Sequence, residues 1–590
     1  NNRITSTANQ TGSIIGTYTF GSVGDFARGN IADAKNYNSF TQSFPVLPTV
    51  HLRVDSLGFY GQDEWSLRNN LKLTYGARFE YQGNPWCKEA CYSRANTEFL
   101  ANGYQAGSGV PYNATLQEGS HTDFKQFEGI VSEPRVAVAY SPRGEGKTVL
   151  RGGIGLFANT IAANIAASVY GNPPNKFAPT VTTGTVGLTS DAGSSQAAAA
   201  ASNAAFQAGF SQGDTLTQLK AAVPAGTTFS TPTLYVNPNA FHTIKVLEWS
   251  FEVEQPLTSH DVLSLSYAGN HGYDEVLTDT AANGWAANGF GGLPKAIPDP
   301  RFAAVTQIFT NGFSNYNGFT VAERHSLAHN LQGQASYTWS KALVLGAPVY
   351  VGSSAQTGTI YNPTVYALGG GVTPTGAARQ NYGPTAFDTR NNFTGDLVYS
   401  TPKLASRTLN RALSDWKLGG KIYLYSGRPF TVIDSGVATA NVFSSSFSGT
   451  VLADATNPSV LSASCGKSAV KSPCLTTSEF NLATARATTP AQSDWGNTKP
   501  NSFRGPGFAS ISAQLGKEIP VTESTRFEVG ADAYNLLNHP NFGIPNADVN
   551  KGKTLGTVTT DVSVPTSIYG TGQGAIVSGR VLVVYGKFVF

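Results

Sequence analysis

A handful of strings in this chain could do chemistry, and their surroundings decide what each one means. Gly209-Phe210-Ser211-Gln212-Gly213 has the form of a nucleophile elbow, in which a strained strand-to-helix turn exposes a serine hydroxyl. Here the Ala run Ala197–Ala201 precedes it in place of a strand, and no His–Asp pair can be assigned to Ser211, so a catalytic serine is not expected. Gly144-Glu145-Gly146-Lys147-Thr148 looks like the end of a phosphate-binding loop. Ser141, however, stands where the first Gly belongs, and Val149–Phe157 alternates like a strand, so the string reads as a hairpin turn with no helix terminus to cradle an anion. His325 and His329 have the spacing of helix-borne metal ligands, yet they bracket a tight turn and no carboxylate motif accompanies them. The acids Glu248, Glu252 and Glu254 lie on one face of a strand. They either form a ligand patch or solvate and cross-pair within a polar lumen. Cys87 with Cys91 and Cys465 with Cys474 form two close pairs inside long polar segments, which suits two local disulfides in an oxidising compartment. Neither pair continues into a zinc motif. The sequence therefore points to no enzyme, no metal and no cofactor.

The elements that carry these residues are strands. From Leu71 to Gln82 the residues Leu71, Leu73, Tyr75, Ala77, Phe79 and Tyr81 alternate with Lys72, Thr74, Gly76, Arg78, Glu80 and Gln82, a strict period of two. The pattern returns at Leu247, Trp249, Phe251 and Val253 against Glu248, Ser250, Glu252 and Glu254. It appears again at Leu331, Ala335, Tyr337 and Trp339 against Gln332, Gln334, Ser336 and Thr338. An aromatic face opposite a charged or amide-rich one means that the two sides of the sheet meet different solvents.

Composition narrows what those solvents are. Only 13% of the 590 residues are Asp, Glu, Lys or Arg, against roughly 25% in soluble globular proteins. Mean hydropathy is slightly negative, and no run approaches the roughly 18 apolar residues of a spanning helix, so a helical membrane protein is excluded. Gly (63), Phe (33) and Tyr (25) are abundant and the apolar residues are dispersed, as in a transmembrane barrel whose strands alternate lipid-facing with lumen-facing side chains. A net charge of +3 makes no electrostatic case for nucleic acid.

Short and long connections alternate. Short turns are expected near Ser66–Asn70, Pro142–Lys147, Gln255–Asp261, Ser326–Asn330 and Lys517–Ser524, with a longer one at Pro402–Ser414. Long connections fill 83–132, 158–245, 270–316, 341–391, 431–507 and 535–576, which is the asymmetry between periplasmic turns and extracellular loops. A first strand near Ser13–Phe20, six hairpins and a last strand at Val577–Phe590 give about fourteen strands, with both ends periplasmic. Residues 1–590 thus read as one all-β region, a transmembrane antiparallel barrel. Within it, Ser194–Val223 reads as one or two short helices in a loop. The chain opens at Asn1 with neither Met nor an export signal, and its first residues already look like barrel material. Either an export signal has been removed and the chain is a shortened barrel of about fourteen strands, or it starts inside a longer protein, and the second is the expectation.

Several strings go beyond periodicity. FYGQDEW at Phe59–Trp65 runs on through LRNNLKLTYGARFEY, KTVLRGGIGLF occupies Lys147–Phe157, and Tyr316–Lys341 ends in QASYTWSK. DWKLGGKIYLYSGRPF at Asp415–Phe430 and RFEVGADAYNLLNHPNFG at Arg526–Gly543 follow in order, and the chain ends GRVLVVYGKFVF. Together, over about residues 14 to 590, these resemble the barrel of the TonB-dependent receptors, with QASYTWSK characteristic of the Oar-like branch. The terminal aromatic is similar to a barrel-assembly signal, although Gly586 sits one position from the usual glycine. The resemblance implies a barrel of about 22 strands, a plug domain and an energy-coupling segment, none of whose upstream parts is visible here. It implies uptake of a large or scarce solute, with the TonB system, the barrel-assembly machinery and outer-membrane lipid as partners. Leu71, Tyr75, Phe79, Trp249, Phe251, Tyr337 and Trp339 would face lipid. Arg78, Glu80, Glu248, Glu252, Lys417, Lys421, Arg526, Glu528 and Asp532 would face the lumen as candidate solute or plug contacts. The competing expectation is a surface interaction or adhesion protein that uses the barrel as an anchor and binds a partner through its loops.

Overall fold

The computed structural model describes residues 2–9, 14–29, 38–96, 99, 109–144, 147–159, 161, 165, 168–223, 231–279, 299–302, 305–346, 358–359, 381–435, 451–482, 496–522, 525–562 and 579–590. Within them a single antiparallel meander forms the wall of a transmembrane barrel. Its strands are β1 (Asn2–Asn9), β2 (Thr49–Arg68), β3 (Leu71–Gln82), β4 (Ile130–Tyr140), β5 (Val149–Ala158), β6 (Lys245–Pro256) and β7 (Asp261–Asp279). The meander continues through β8 (Val305–Ala328), β9 (Leu331–Leu345), β10 (Asn391–Ser400), β11 (Trp416–Tyr425), β12 (Phe508–Pro520), β13 (Arg526–Tyr534) and β14 (Val581–Val589). Each strand pairs with its neighbours in the chain. The expected number of strands is therefore present.

Two strand assignments change. The first wall strand is Asn2–Asn9, and the segment expected to provide it, Ser13–Phe20, holds among its described residues only the short strand Thr17–Thr19, which pairs with Ser39–Thr41 outside the wall. Asn2 pairs with Ser56, part-way along β2. The last strand begins at Val581, while Val577 lies outside the described residues. In addition, β7 and β8 run on to Asp279 and from Val305, well past the expected limits of Asn270 and Tyr316. The alternation that marks a strand fades there because, beyond the bilayer, the outward face is no longer restricted to apolar residues, and Val276, Leu277, Val305 and Ile308 are buried in the cores of the packed connections. The backbone ladder continues regardless, with a register irregularity between Tyr273 and Glu275.

The turns on one side are tight. His329 and Asn330, at φ 50° and 64°, make a two-residue link between β8 and β9 in the left-handed region that suits the twist of a hairpin. The link between β10 and β11 is larger and contains a helix, α3 (Arg407–Leu413). On the other side the long connections fold into packed structures. The expected helices are present as α1 (Ser195–Gln212) and α2 (Leu216–Ala222). Ser194 Oγ caps the first by accepting from the Ala197 amide, Gly213 at φ 80° ends it, and Thr215 with Gln218 forms a capping box on the second. Phe206, Phe210, Leu216 and Leu219 are turned inward against Tyr112, Phe177, Leu234, Val236 and Phe302. A second core joins the 426–507 and 535–580 connections through Phe430, Val432, Phe480, Phe503, Val549 and Leu555.

Candidate functional site

Direct cross-strand pairing fixes which residues share a face of the wall. On one face Leu71, Tyr75 and Phe79 oppose Tyr140, Val136 and Ser132. On the same face Trp249 and Phe251 oppose Gly269 and Tyr267, and Tyr337 and Trp339 oppose Val321 and Phe319. Trp339 keeps 59% of its surface open and Phe251 51%, exposure that only a lipid neighbour makes comfortable. The other face carries all nine candidate polar residues, and the register groups them into separate patches.

The first patch spans β3 and β4. Arg78 directly opposes Glu133, its Nε lying 2.9 Å from Glu80 and 3.8 Å from Glu133, while Arg135 stands 3.9 Å from Glu133. Glu133 is buried and belongs to this network, although the sequence reading left it out. Its same-face spacing with Arg135 was available as a signal, but Pro134 interrupts the strand pattern there. In the second patch Arg151 of β5 reaches Glu254 and lies 3.5 Å from Glu252. Two of the three acids therefore cross-pair within the wall. Glu248 instead lines a cavity of about 510 Å³ together with Gln62, Arg135, Asn270 and Tyr316.

The remaining candidates sit on the last strands. Lys421 opposes Asp396, which accepts from Gln334 at 2.9 Å, and its ammonium lies over the Tyr423 ring. Lys417 pairs with Glu518. Tyr585 donates to Glu528 at 3.2 Å and accepts from Gln514 at 3.1 Å, and Gln514 directly opposes Asp532. Arg526 stands apart, opposite Pro520 and Val589 at the turn end. Acids and bases thus alternate around a polar surface, where each exposed pair contributes at most about 1 kcal/mol. The arrangement makes a polar face on the wall, and among the described residues it brings no nucleophile together with a base.

The other chemical strings resolve locally. Ser211 lies in the last turn of α1, where its hydroxyl donates to the Gln207 carbonyl at 3.0 Å, so no elbow exists. Thr148 leads into β5 and donates to Gln255, while Glu145 and Gly146 lie outside the described residues. His325 Nδ1 lies 2.5 Å from Asp261 of the neighbouring strand, and Glu323 completes a small cluster within 4.8 Å. Sequence spacing could not show that cluster, because Asp261 lies on another strand.

The connections above the wall are tied down. Cys87–Cys91 and Cys465–Cys474 are both bonded. Asp388 is buried between Arg390 and Arg504 and accepts from the Ala342 amide at 2.6 Å, joining the 346–390 connection to the 426–507 one. Asp123 is fully buried, with one oxygen on the Asn237 amide at 2.7 Å. Burial pushes its carboxyl well above the usual carboxylate range, against the pull of Arg94.

A family model described as an outer membrane beta barrel domain matches residues 1–568. No curated protein matches the chain. Among solved structures, the outer membrane transporter YddB from Escherichia coli aligns with 92% of this chain and 55% of its own, at 8% identity and a TM-score of 0.38. The siderophore receptor PiuA from Acinetobacter baumannii aligns with 92% and 44%, at 8% identity and 0.38. The ferric yersiniabactin uptake receptor FyuA from Yersinia pestis aligns with 94% and 50%, at 8% identity and 0.35. The chain spans about half the length of these structures.

Proposed function

The chain belongs to the outer membrane beta barrel domain family of the bacterial outer membrane, and from that premise we propose that it is the barrel region of a TonB-dependent receptor of the Oar-like branch, taking up a large or scarce solute. The observation that carries this reading is the pairing of a charged inner face with rigid structure above it. An anchor needs only its lipid-facing side. Here the opposite face bears Arg78, Glu80, Glu248, Glu252, Lys417, Lys421, Arg526, Glu528 and Asp532, and the long connections pack into two hydrophobic cores on one side of the wall. Such a surface captures a solute, and the polar face offers it, or a plug, hydrogen-bonding and ionic contacts. In this reading a plug and an energy-coupling segment belong to the same receptor, the TonB system is the partner that acts on them, and the barrel-assembly machinery reads the end of β14.

The packed, disulfide-stapled connections serve equally a second reading, a surface interaction or adhesion protein anchored by its barrel, which makes no use of the charged inner face. Energy coupling separates the two. Intact-mass and N-terminal analysis of the protein extracted from native outer membranes should give a mass well above 62.1 kDa with a plug ahead of Asn1. A mature chain that begins at Asn1 would sink driven uptake and leave the anchor.

A further inference from the structure

The link between β10 and β11 differs from the other turns on its side. It spans Thr401–Asp415 and contains α3, and its position relative to the wall follows from a single lysine. Lys517 directly opposes Trp416, in the same row as Leu515 opposite Leu418 and Ile511 opposite Ile422, which is the lipid-facing row. Its ammonium donates to the carbonyls of Arg411 at 3.0 Å, Ala412 at 3.4 Å and Ser414 at 2.5 Å, and it lies over the Trp416 ring. Trp416 Nε1 donates to the Ala412 carbonyl at 2.8 Å. Two side chains that point outward from the wall therefore hold the last turn of α3, so the helix lies outside the wall, at the edge of the apolar band, and does not hang beneath the lumen.

The surface it presents there is two-sided. Leu409 and Leu413, one helical turn apart, are 52% and 54% exposed, and Leu404 is exposed beside them. Lys403 and Arg411 are exposed, and across Thr401–Asp415 the bases Lys403, Arg407 and Arg411 outnumber the single acid, Asp415. Asn410 makes the unit rigid, accepting from the Leu404 amide at 2.8 Å and from the Ser414 hydroxyl at 2.6 Å.

We propose that α3 is an interfacial helix that docks on the periplasmic leaflet of the outer membrane, with Leu404, Leu409 and Leu413 at the acyl boundary and Lys403 and Arg411 on anionic phospholipid headgroups. The apolar residues continue the established lipid-facing row through Trp416, and the excess of basic over acidic charge selects an anionic headgroup. Lysine and tryptophan at the rim of the band are the side chains that bridge acyl chain and water.

Spin labels test the placement in the whole chain, in vesicles containing phosphatidylglycerol. Labels at Leu409→Cys and Leu413→Cys should collide with oxygen and be shielded from a water-soluble nickel complex, whereas a label at Ser259→Cys, in the tight turn between β6 and β7, should meet the nickel complex freely. Equal nickel access at all three would overturn the docking and point to a protein partner or open water. The headgroup assignment has its own readout. In native mass spectrometry, retained phosphatidylglycerol should fall about fivefold for each charge removed by Lys403→Gln and Arg411→Gln, and unchanged retention would exclude these contacts.

Discussion

Phe177, Phe206, Phe210 and Phe302 around α1 keep 1% of their surface or less, while Phe251, Tyr267, Phe319 and Trp339 stand in directly opposed pairs along the wall with 39% to 59% open. The same residue type serves opposite ends. Above the membrane an aromatic ring stabilises by leaving water for other rings, as with Phe206 stacked on Phe177 at 4.3 Å. Within the membrane the ring already has an apolar neighbour in lipid, and the wall is held by its ladder of backbone hydrogen bonds, which hydrocarbon makes obligatory. The lobes thus follow the rules of soluble proteins and the wall follows those of the bilayer.

Three measurements sharpen or break that contrast. The largest effect is expected from Phe206→Ala, which empties the centre of the α1 core and should cost the lobe about 3–5 kcal/mol. Calorimetry should show a lobe transition moving down while the barrel transition stays in place, and a common shift of both would mean that lobe and wall unfold as one unit. Next is a pair of adjacent substitutions on β7. Leu265, between Val253 and Val321 on the lipid face, should lose about 2–4 kcal/mol on conversion to Arg if it sits near the midplane. Ser266→Arg, opposite Glu252 on the polar face, should stay within about 1 kcal/mol. Urea unfolding in vesicles compares them, and equal costs would refute the assignment of faces.

The smallest effect concerns Asp123. Burial raises its carboxyl in the folded lobe above the ordinary value of about 3.9. The folded state therefore holds a proton that the unfolded state has released, and its stability is greatest at low pH and falls as pH rises toward the folded value. Asp123→Asn keeps the oxygen that accepts from Asn237 and removes the ionisation. The lobe transition of this variant should differ less between about pH 5 and about pH 8 than that of the parent. A parent lobe that stabilises on going to about pH 8 would contradict the burial argument.

What was legible in the sequence follows the same division. Leu71–Gln82 could be read residue by residue because its two faces meet fixed, different solvents. Past Asn270 and before Tyr316 the strands leave the bilayer and pack against the connections through Val276, Leu277, Val305 and Ile308, so the two faces no longer meet fixed, different solvents and the pattern that would reveal them is lost. The lobes show the reverse. The Ser194–Val223 helices were visible from their caps and Ala run, but the packing of Tyr112 against Phe206 and Phe302 joins segments far apart in the chain, and no local spacing encodes it. The nine polar candidates could be assigned to a face by parity alone. Their partners Glu133, Asp396 and Glu518 follow only from register between strands, as does the meeting of Asp388 with Arg504.

The two disulfides bear on how such a molecule is made. Each closes within a single connection, over 4 and 9 positions of chain, and neither spans a strand of the wall. Oxidation in the periplasm can therefore finish while the chain is still in transit, and neither bond fixes the order in which hairpins enter the bilayer. Each bond is a preassembled part carried in by its own hairpin, so the oxidising machinery and the membrane-insertion machinery can act one after the other without interfering.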